Sequence, residues 1–216
     1  MPSITLPTPT PDELEDLIYF SRTGDLPSLR SALDTISSTH NSPLSTILAS
    51  AIDIDAEGLG SQSCLLHWPA ANGNLEILQY LLSLIPSKSV AADKSAPTLV
   101  NHNNVNGNTP LHWAALNAHL ECVKVLVAAG ADAGIVNEVG HDALFEAELG
   151  EKEGSKDVVD WMLKNCDGLE KGASGHVEEA EAEAKSEDLV AAVDVPYETS
   201  AKQTEDQMEE MQDDPS

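Results

Sequence analysis

One segment constrains this chain above all others: Asn106–Asp132, which begins Asn-Gly-Asn-Thr-Pro-Leu-His-Trp-Ala-Ala-Leu-Asn and ends Ala-Ala-Gly-Ala-Asp. Its residues predict a turn, a helix, a tight break and a second helix. Asn106-Gly107 supplies the turn, because glycine takes positive φ without steric cost. Thr109 stands as N-cap, with Pro110 at the first helical position, where a missing N–H costs nothing. Leu111, Ala114 and Ala115 mark the packing side of the first helix. Leu120, Val123, Leu126 and Val127 give the second an apolar stripe at helical spacing, and Gly130 stops it. Two helices so short cannot bury both faces alone, so copies are expected nearby.

The copies are present. Cys64–Leu82 aligns without a gap at an offset of 45 residues, setting His67 on His112, Trp68 on Trp113, Glu76 on Glu121 and Leu81 on Leu126. Gly140–Ala147 aligns at an offset of 33, with Leu144 on Leu111 and Ala147 on Ala114. Leu17–Leu29 aligns with Leu66 onward at 49, which puts Gly24 on Gly73. The period is about 33 residues, stretched where loops are inserted. The pattern resembles the ankyrin repeat, whose signature is T-P-L-H-x-A-A followed by G-H and a paired leucine. That resemblance implies an all-α ankyrin-repeat solenoid of about four helix pairs, with repeats near residues 11–36, 60–85, 104–133 and 137–165 and the first acting as a cap.

Asp and Glu number 37 against 11 Lys and Arg, a formal net charge of −26. Such a balance opposes nucleic acid or an anionic membrane as partner. It favours a basic partner, with solubility as the plainer reading. The excess is shared. Residues 167–216 carry 16 acids against Lys171, Lys185 and Lys202, and residues 1–166 carry 21 acids against 8 bases, a net of −13 in each part. The C-terminal stretch is poor in apolar residues, so 167–216 is expected to be a disordered acidic tail, and the Pro/Thr-rich residues 1–10 to be disordered as well. The folded part is then 11–166. Cys64, Cys122 and Cys166 are odd in number and form no C-x-x-C, which suits reduced thiols in a cytosolic or nuclear protein. The first residues lack the basic and apolar regions of a secretory leader, and no apolar run approaches the length of a membrane span.

Two insertions separate the repeats. Ser37–Ser63 contains Leu44, Ile47, Leu48 and Ala51 at helical spacing, which predicts a short extra helix packed on the stack. In Ser83–Asn103 the preceding helix is expected to run to about Ile85, where Pro86 ends it, and the rest is read as a surface loop with room for a short helix.

No constellation of side chains points to catalysis. There is no phosphate-binding G-x-x-x-x-G-K-[ST] and no zinc-binding H-E-x-x-H. His141, Asp142 and Ser155 are not ordered as base, orienter and nucleophile. Cys64 with His67 is one half of a zinc set that nothing completes. An enzyme, a cofactor and a metal are therefore not expected. By the family resemblance, His67 and His112 are structural and hydrogen-bond the neighbouring turn. Trp68 and Trp113 follow them; they either pack between repeats or line a groove as aromatic anchors. Repeat four carries Glu146 at that position, expected to be solvated or to bind. The candidate partner-binding set has a floor of Asn72, Leu116, Asn117, Glu146 and Glu148. Its rim is Val105, Asn106, Asn108, Glu138, Val139 and His141, and its anchors are Trp68 and Trp113.

A narrower resemblance rests on Gly107-Asn-Thr-Pro-Leu-His-Trp-Ala-Ala-Leu-Asn117, Gly140-His-Asp-Ala-Leu-Phe-Glu-Ala-Glu148 and the acidic tail. Together they look like the small fungal ankyrin-repeat chaperone of a ribosomal protein. The resemblance implies a monomer that binds the basic KH-domain protein of the small ribosomal subunit one to one. It keeps that client soluble and escorts it between cytoplasm and nucleus to ribosome assembly. Pro69 in place of alanine and Ala118 in place of glycine depart from the family pattern. A generic ankyrin scaffold, or an acidic adaptor for histones or transcription factors, is the alternative reading.

Overall fold

The computed structural model describes residues 8–54, 58–86, 99–166 and 169. Residues 1–7, the centre of the second insertion at 87–98 and nearly all of 167–216 lie outside the described residues, so the disorder expected there and the loop reading of 87–98 concern residues that are not described.

Helices α1 (Pro11–Thr23) and α2 (Leu26–Thr39) form the first pair. Thr10 closes a capping box on α1: its Oγ1 accepts the Glu13 N–H at 3.3 Å, and the Glu13 carboxylate accepts the Thr10 N–H at 2.8 Å. Glu13 also takes His40 Nε2 at 3.0 Å, tying the start of α1 to the end of α2. The extra helix expected in the first insertion is α3 (Leu44–Ser50). Its Ile47 and Leu48, with Ala51 beyond, are fully buried, and it packs against both α2 and the later α5. Antiparallel bridging of Ile52 and Cys64 then leads into the second repeat.

The three remaining pairs are α4 (His67–Asn72) with α5 (Leu75–Leu84), α6 (Pro110–Leu116) with α7 (Leu120–Ala128), and α8 (Ala143–Leu149) with α9 (Ser155–Asn165). A short 3-10 turn, Leu99–Asn101, precedes the third repeat. The first helices touch in series, α1 on α4, α4 on α6 and α6 on α8, while α5, α7 and α9 form the second layer with α3 wedged beside α5. Between the layers lies one core, mostly leucine, isoleucine, valine and alanine, that includes Leu17, Leu33, Leu66, Leu78, Leu111 and Leu126 together with Met162. Among the described residues there is no strand beyond that isolated bridge. Apolar packing continues to Leu169, three residues past the boundary that composition set at 166.

Both departures from the repeat pattern are accommodated. Pro69 is the third residue of α4, inside the first turn, where its absent N–H has no partner to lose. Ala118 adopts the left-handed conformation, φ 59°, that Gly73 adopts at the equivalent place with φ 71°. The break between the two helices thus keeps its geometry, and alanine carries the strain. An Ala118→Gly variant removes about 1–2 kcal/mol of left-handed strain and restores about 0.4–1 kcal/mol of unfolded-chain entropy. A net gain of about 0.5–1 kcal/mol is expected, seen as a raised urea midpoint with unchanged slope. Gly73→Ala is expected to cost more than Ala118→Gly gains, because a Cβ there also lies 2.7 Å from His119 Nδ1.

Candidate partner-binding groove

The groove is built from the turns and the outward positions of the first helices. Each turn is closed by a buried asparagine. Asn104 Oδ1 accepts the N–H groups of Asn106 and Asn108 at 3.0 and 2.9 Å, and Asn137 Oδ1 accepts those of Val139 and His141 at 3.1 and 3.0 Å. Successive turns are then linked by backbone: Val105 N–H donates to Ser61 O at 2.9 Å and Glu138 N–H to Asn106 O at 3.0 Å. Gly107 sits at this junction with φ 76°, and a Cβ there meets Glu138 N at 2.8 Å. Val105, Asn106, Glu138 and Val139 are exposed at the tips, with Val139 70% exposed. Asn108 and His141 are half-buried, and Asn108 Oδ1 accepts from Asn137 Nδ2 at 2.8 Å.

Two histidines hold the first helices to these turns. His112 Nδ1 accepts the Thr109 N–H at 3.1 Å and stands 2.8 Å from Thr109 Oγ1, which leaves Nε2–H to donate to His141 O at 3.1 Å. His67 repeats the arrangement, with Nδ1 accepting the Cys64 N–H at 3.1 Å and Nε2–H donating to Asn108 O at 3.0 Å. These are the turn contacts expected of structural histidines. Burial, only partly offset by the bond to Asn108, lowers the His67 pKa to about 4; burial pushes His112 down as well. Cys64, beside His67, is pushed up to about 12 by burial and is not a reactive thiol.

The outward column of the first helices runs Tyr19, Trp68, Trp113, Glu146, one residue per repeat by the same offsets that align the repeats. Tyr19 is 60% exposed and both tryptophans are half-buried, so the indoles pack against the stack on one side and face outward on the other. The Trp68 Nε1 atom is buried and unbonded, and that ring therefore offers carbon rather than a donor to the groove. One turn further along the helices lie Leu116, half-buried, and Leu149, 52% exposed. Tyr19 and Leu149 are absent from the set expected from sequence. The 49-residue offset carries Tyr19 onto Trp68, and the 33-residue offset carries Leu149 onto Leu116, so both were within reach of the alignment.

Asn72 and Asn117 are placed otherwise than as free floor residues. Asn72 Nδ2 donates to Arg22 O at 3.0 Å, pinning repeat two to repeat one. Asn117 Nδ2 donates to Trp113 O at 2.9 Å and its Oδ1 accepts from Lys152 of repeat four. Glu146, expected to be solvated or to bind, is only 12% exposed: its Oε1 accepts from Asn137 Nδ2 at 2.8 Å and lies 3.2 Å from His141 Nδ1. Glu148, two residues on, is exposed. Among the described residues no group of three or more His, Cys, Asp or Glu side chains is placed to hold a metal ion, and no helix is long and apolar enough to cross a membrane.

Helix pairs stacked in series, capped turns that bond to one another and buried histidines bridging repeats two and three to the turns that follow them define a helical repeat protein. The family profile for ankyrin repeats (3 copies) matches residues 66–173. Ankyrin repeat-containing protein YAR1 of Saccharomyces cerevisiae is 33% identical over 157 residues, spanning 72% of this chain and 70% of that protein. The chain belongs to the ankyrin-repeat family. Among solved structures, the crystal structure of the yeast ribosomal protein Rps3 in complex with its chaperone Yar1 aligns with a TM-score of 0.58 and 33% identity, covering 75% of this chain and 98% of the matched one. Palmitoyltransferase Hip14 of Drosophila melanogaster is 38% identical over 76 residues, but these are 35% of this chain and 10% of that protein, so the match reports the repeat and nothing of the transferase.

The neutral histidines have a pH signature. Between a folded pKa of about 4 and the ordinary value of 6.5, His67 binds a proton in the unfolded chain only. Its contribution is therefore complete above pH 6.5 and is lost as pH falls through about 4. The stability gap between wild type and His67→Gln is expected to narrow by about 3 kcal/mol over that window, measured by urea melts at matched pH. A gap that stays constant with pH would show that His67 is protonated alike in both states.

Proposed function

We propose that this protein is a binding chaperone, not an enzyme. It holds a newly made basic ribosomal protein of the small subunit, the KH-domain protein, in its ankyrin groove and escorts it between cytoplasm and nucleus to ribosome assembly. One observation carries the reading: the repeat domain is similar, over more than two thirds of both chains, to a protein whose relative structure is a complex of the chaperone Yar1 with Rps3. The physics supports it. Residues 1–166 alone have a net charge of −13, and an unassembled ribosomal protein is a cation that has lost its phosphate partner. A column of outward aromatic side chains above a row of acidic and apolar turn tips suits an amphipathic helix with a basic flank. The acidic residues 167–216 add charge that shields further basic surface without requiring a single shape. The chaperone acts as a monomer on one client molecule and uses no cofactor.

Co-expression with yeast Rps3 tests this. The expected result is soluble Rps3 in a one-to-one complex whose affinity falls steeply with added salt. Trp113→Ala, checked for retained helicity, is expected to weaken the complex by about 2 kcal/mol or more, mainly through faster dissociation. Glu121→Lys lies at an exposed position of α7, in the second helix layer away from the groove, where Glu121 pairs with Lys124 at 2.7 Å; it is expected to leave affinity within about 0.5 kcal/mol of wild type. Rps3 that remains aggregated in the presence of this chain, or binding abolished by Glu121→Lys and untouched by Trp113→Ala, would overturn the proposal.

A further inference from the structure

Glu146 is the anomaly of the groove. Three repeats place an aromatic ring at its position, and the fourth places a carboxylate. That carboxylate is nearly withdrawn from water, at 12% exposure, yet among the described residues no lysine or arginine pairs with it. Lys152, from the break of the same repeat, is engaged by Asn117 instead. Asn137 Nδ2 at 2.8 Å and His141 Nδ1 at 3.2 Å both address Oε1. Among the described residues Oε2 makes no hydrogen bond, and it is still reached by solvent. The fold has thus already met the desolvation cost of this charge and fixed its rotamer, while leaving one oxygen open. A cation arriving there meets an oriented, partly desolvated anion, where attraction is stronger than between exposed charges and little side-chain entropy remains to be lost. Across α6 the adjacent outward position is Trp113, whose ring face is a second attractive surface for a guanidinium or ammonium group.

We infer that Glu146 is the specificity-determining residue of the groove: it receives one lysine or arginine of the bound basic protein, and so fixes the direction and register of the bound segment along the stack. The inference rests on the client reading given above. With the cation at repeat four, the apolar face of the segment lies over Trp113, Trp68 and Tyr19. Packed helices stand about 8–10 Å apart, so the three steps from Tyr19 to Glu146 span about 24–30 Å, the length of a helix of about 16–20 residues. The basic residue read by Glu146 therefore lies about that far along the client helix from the apolar residue that meets Tyr19.

Glu146→Gln separates this role from a structural one. The glutamine oxygen still accepts from Asn137 and His141, so the turn is kept and only the charge and the open anionic oxygen are lost. Glu148→Gln makes the same charge change on the same helix at an exposed position of the candidate floor, and so measures what a solvated acid of the groove contributes. Against full-length yeast Rps3 at physiological salt, Glu146→Gln is expected to weaken binding at least about tenfold with an unchanged melting temperature. Glu148→Gln is expected to weaken it less than about threefold. In double-mutant cycles with single Lys→Met and Arg→Met variants of Rps3, Glu146→Gln is expected to couple to one basic position and Glu148→Gln to none. Equal losses for the two glutamine variants, or no coupled basic residue, would overturn the inference while leaving the chaperone reading intact. A wild-type chain that does not bind Rps3 would overturn both. If Glu146→Gln lowers the melting temperature, the cycle still decides, since coupling to one Rps3 side chain does not arise from a turn that has merely loosened.

Discussion

The stack depends on one contact made twice: a neutral imidazole at the start of a first helix, bonded to its own cap through Nδ1 and to the next repeat through Nε2–H. His67 reaches Asn108 O across 41 residues of sequence, and His112 reaches His141 O across 29. The same ring satisfies a helix N-terminus that would otherwise keep an orphan N–H and fixes where the following turn stands. Local and long-range order are therefore set by one group, and only its uncharged tautomer can do both, since protonation turns Nδ1 from acceptor to donor. At the other end of the helices His119 Nε2 binds Ala71 O at 3.0 Å, so adjacent repeats two and three are pinned at both ends.

Repeat four shows the logic by exception. Phe145 stands where the offset of 33 places the histidine, and Asp142, whose carboxylate accepts the Phe145 N–H at 2.8 Å, stands in place of Thr109. Among the described residues no further turn follows for an imidazole to reach. The apolar ring instead stacks on His141, with centroids 4.2 Å apart. The turn of this repeat is held from the preceding repeat, by His112 on His141 O, and in addition from its own helix, through Glu146 and Asn137. Repeat four thus receives the bridge from His112 but, among the described residues, sends none onward, and its own network of Asn137, His141 and Glu146 is what holds a carboxylate nearly out of water.

What the sequence made legible follows from which interactions are local. Thr109-Pro110, the i, i+3, i+4, i+7 pattern of Leu44, Ile47, Leu48 and Ala51, and the histidine positions each act within a few residues or at a fixed offset, and the elements they predict are present. The roles of Asn72 and Asn117 were not legible, because their partners, Arg22 and Lys152, lie 50 and 35 residues away and outside the repeat signature. Glu146 reads as an exposed acid until Asn137, nine residues earlier and across a turn, is brought beside it. Tyr19 is hidden for another reason: the first repeat lacks the T-P-L-H signature, and only its spacing to Gly24 betrays the alignment. Composition draws the boundary at 166 because it is averaged over a window, and it therefore passes over Leu169, one apolar side chain among acids that packs against the core.

The distribution of charge follows from the same economy. The inward positions are uncharged because burying an unpaired ion is costly, so among the described residues the carboxylates stand at exposed or partly exposed positions. A stack that contacts itself only between neighbours spreads those charges along its length, and screening over about 8 Å at physiological salt keeps distant ones from adding up. Pairs among the described residues such as Glu121 with Lys124, Glu13 with His40 and Glu146 with His141 engage few of these carboxylates. Residual repulsion is therefore a standing cost of the free protein, tolerated because the histidines and the leucine core hold the repeats together. A cationic ligand in the groove removes part of that cost where it binds. By linkage, any such ligand must stabilise the fold by the free energy with which it prefers the folded state, so on the proposed function solubilising a basic client and reinforcing the repeat stack are one equilibrium seen from its two sides.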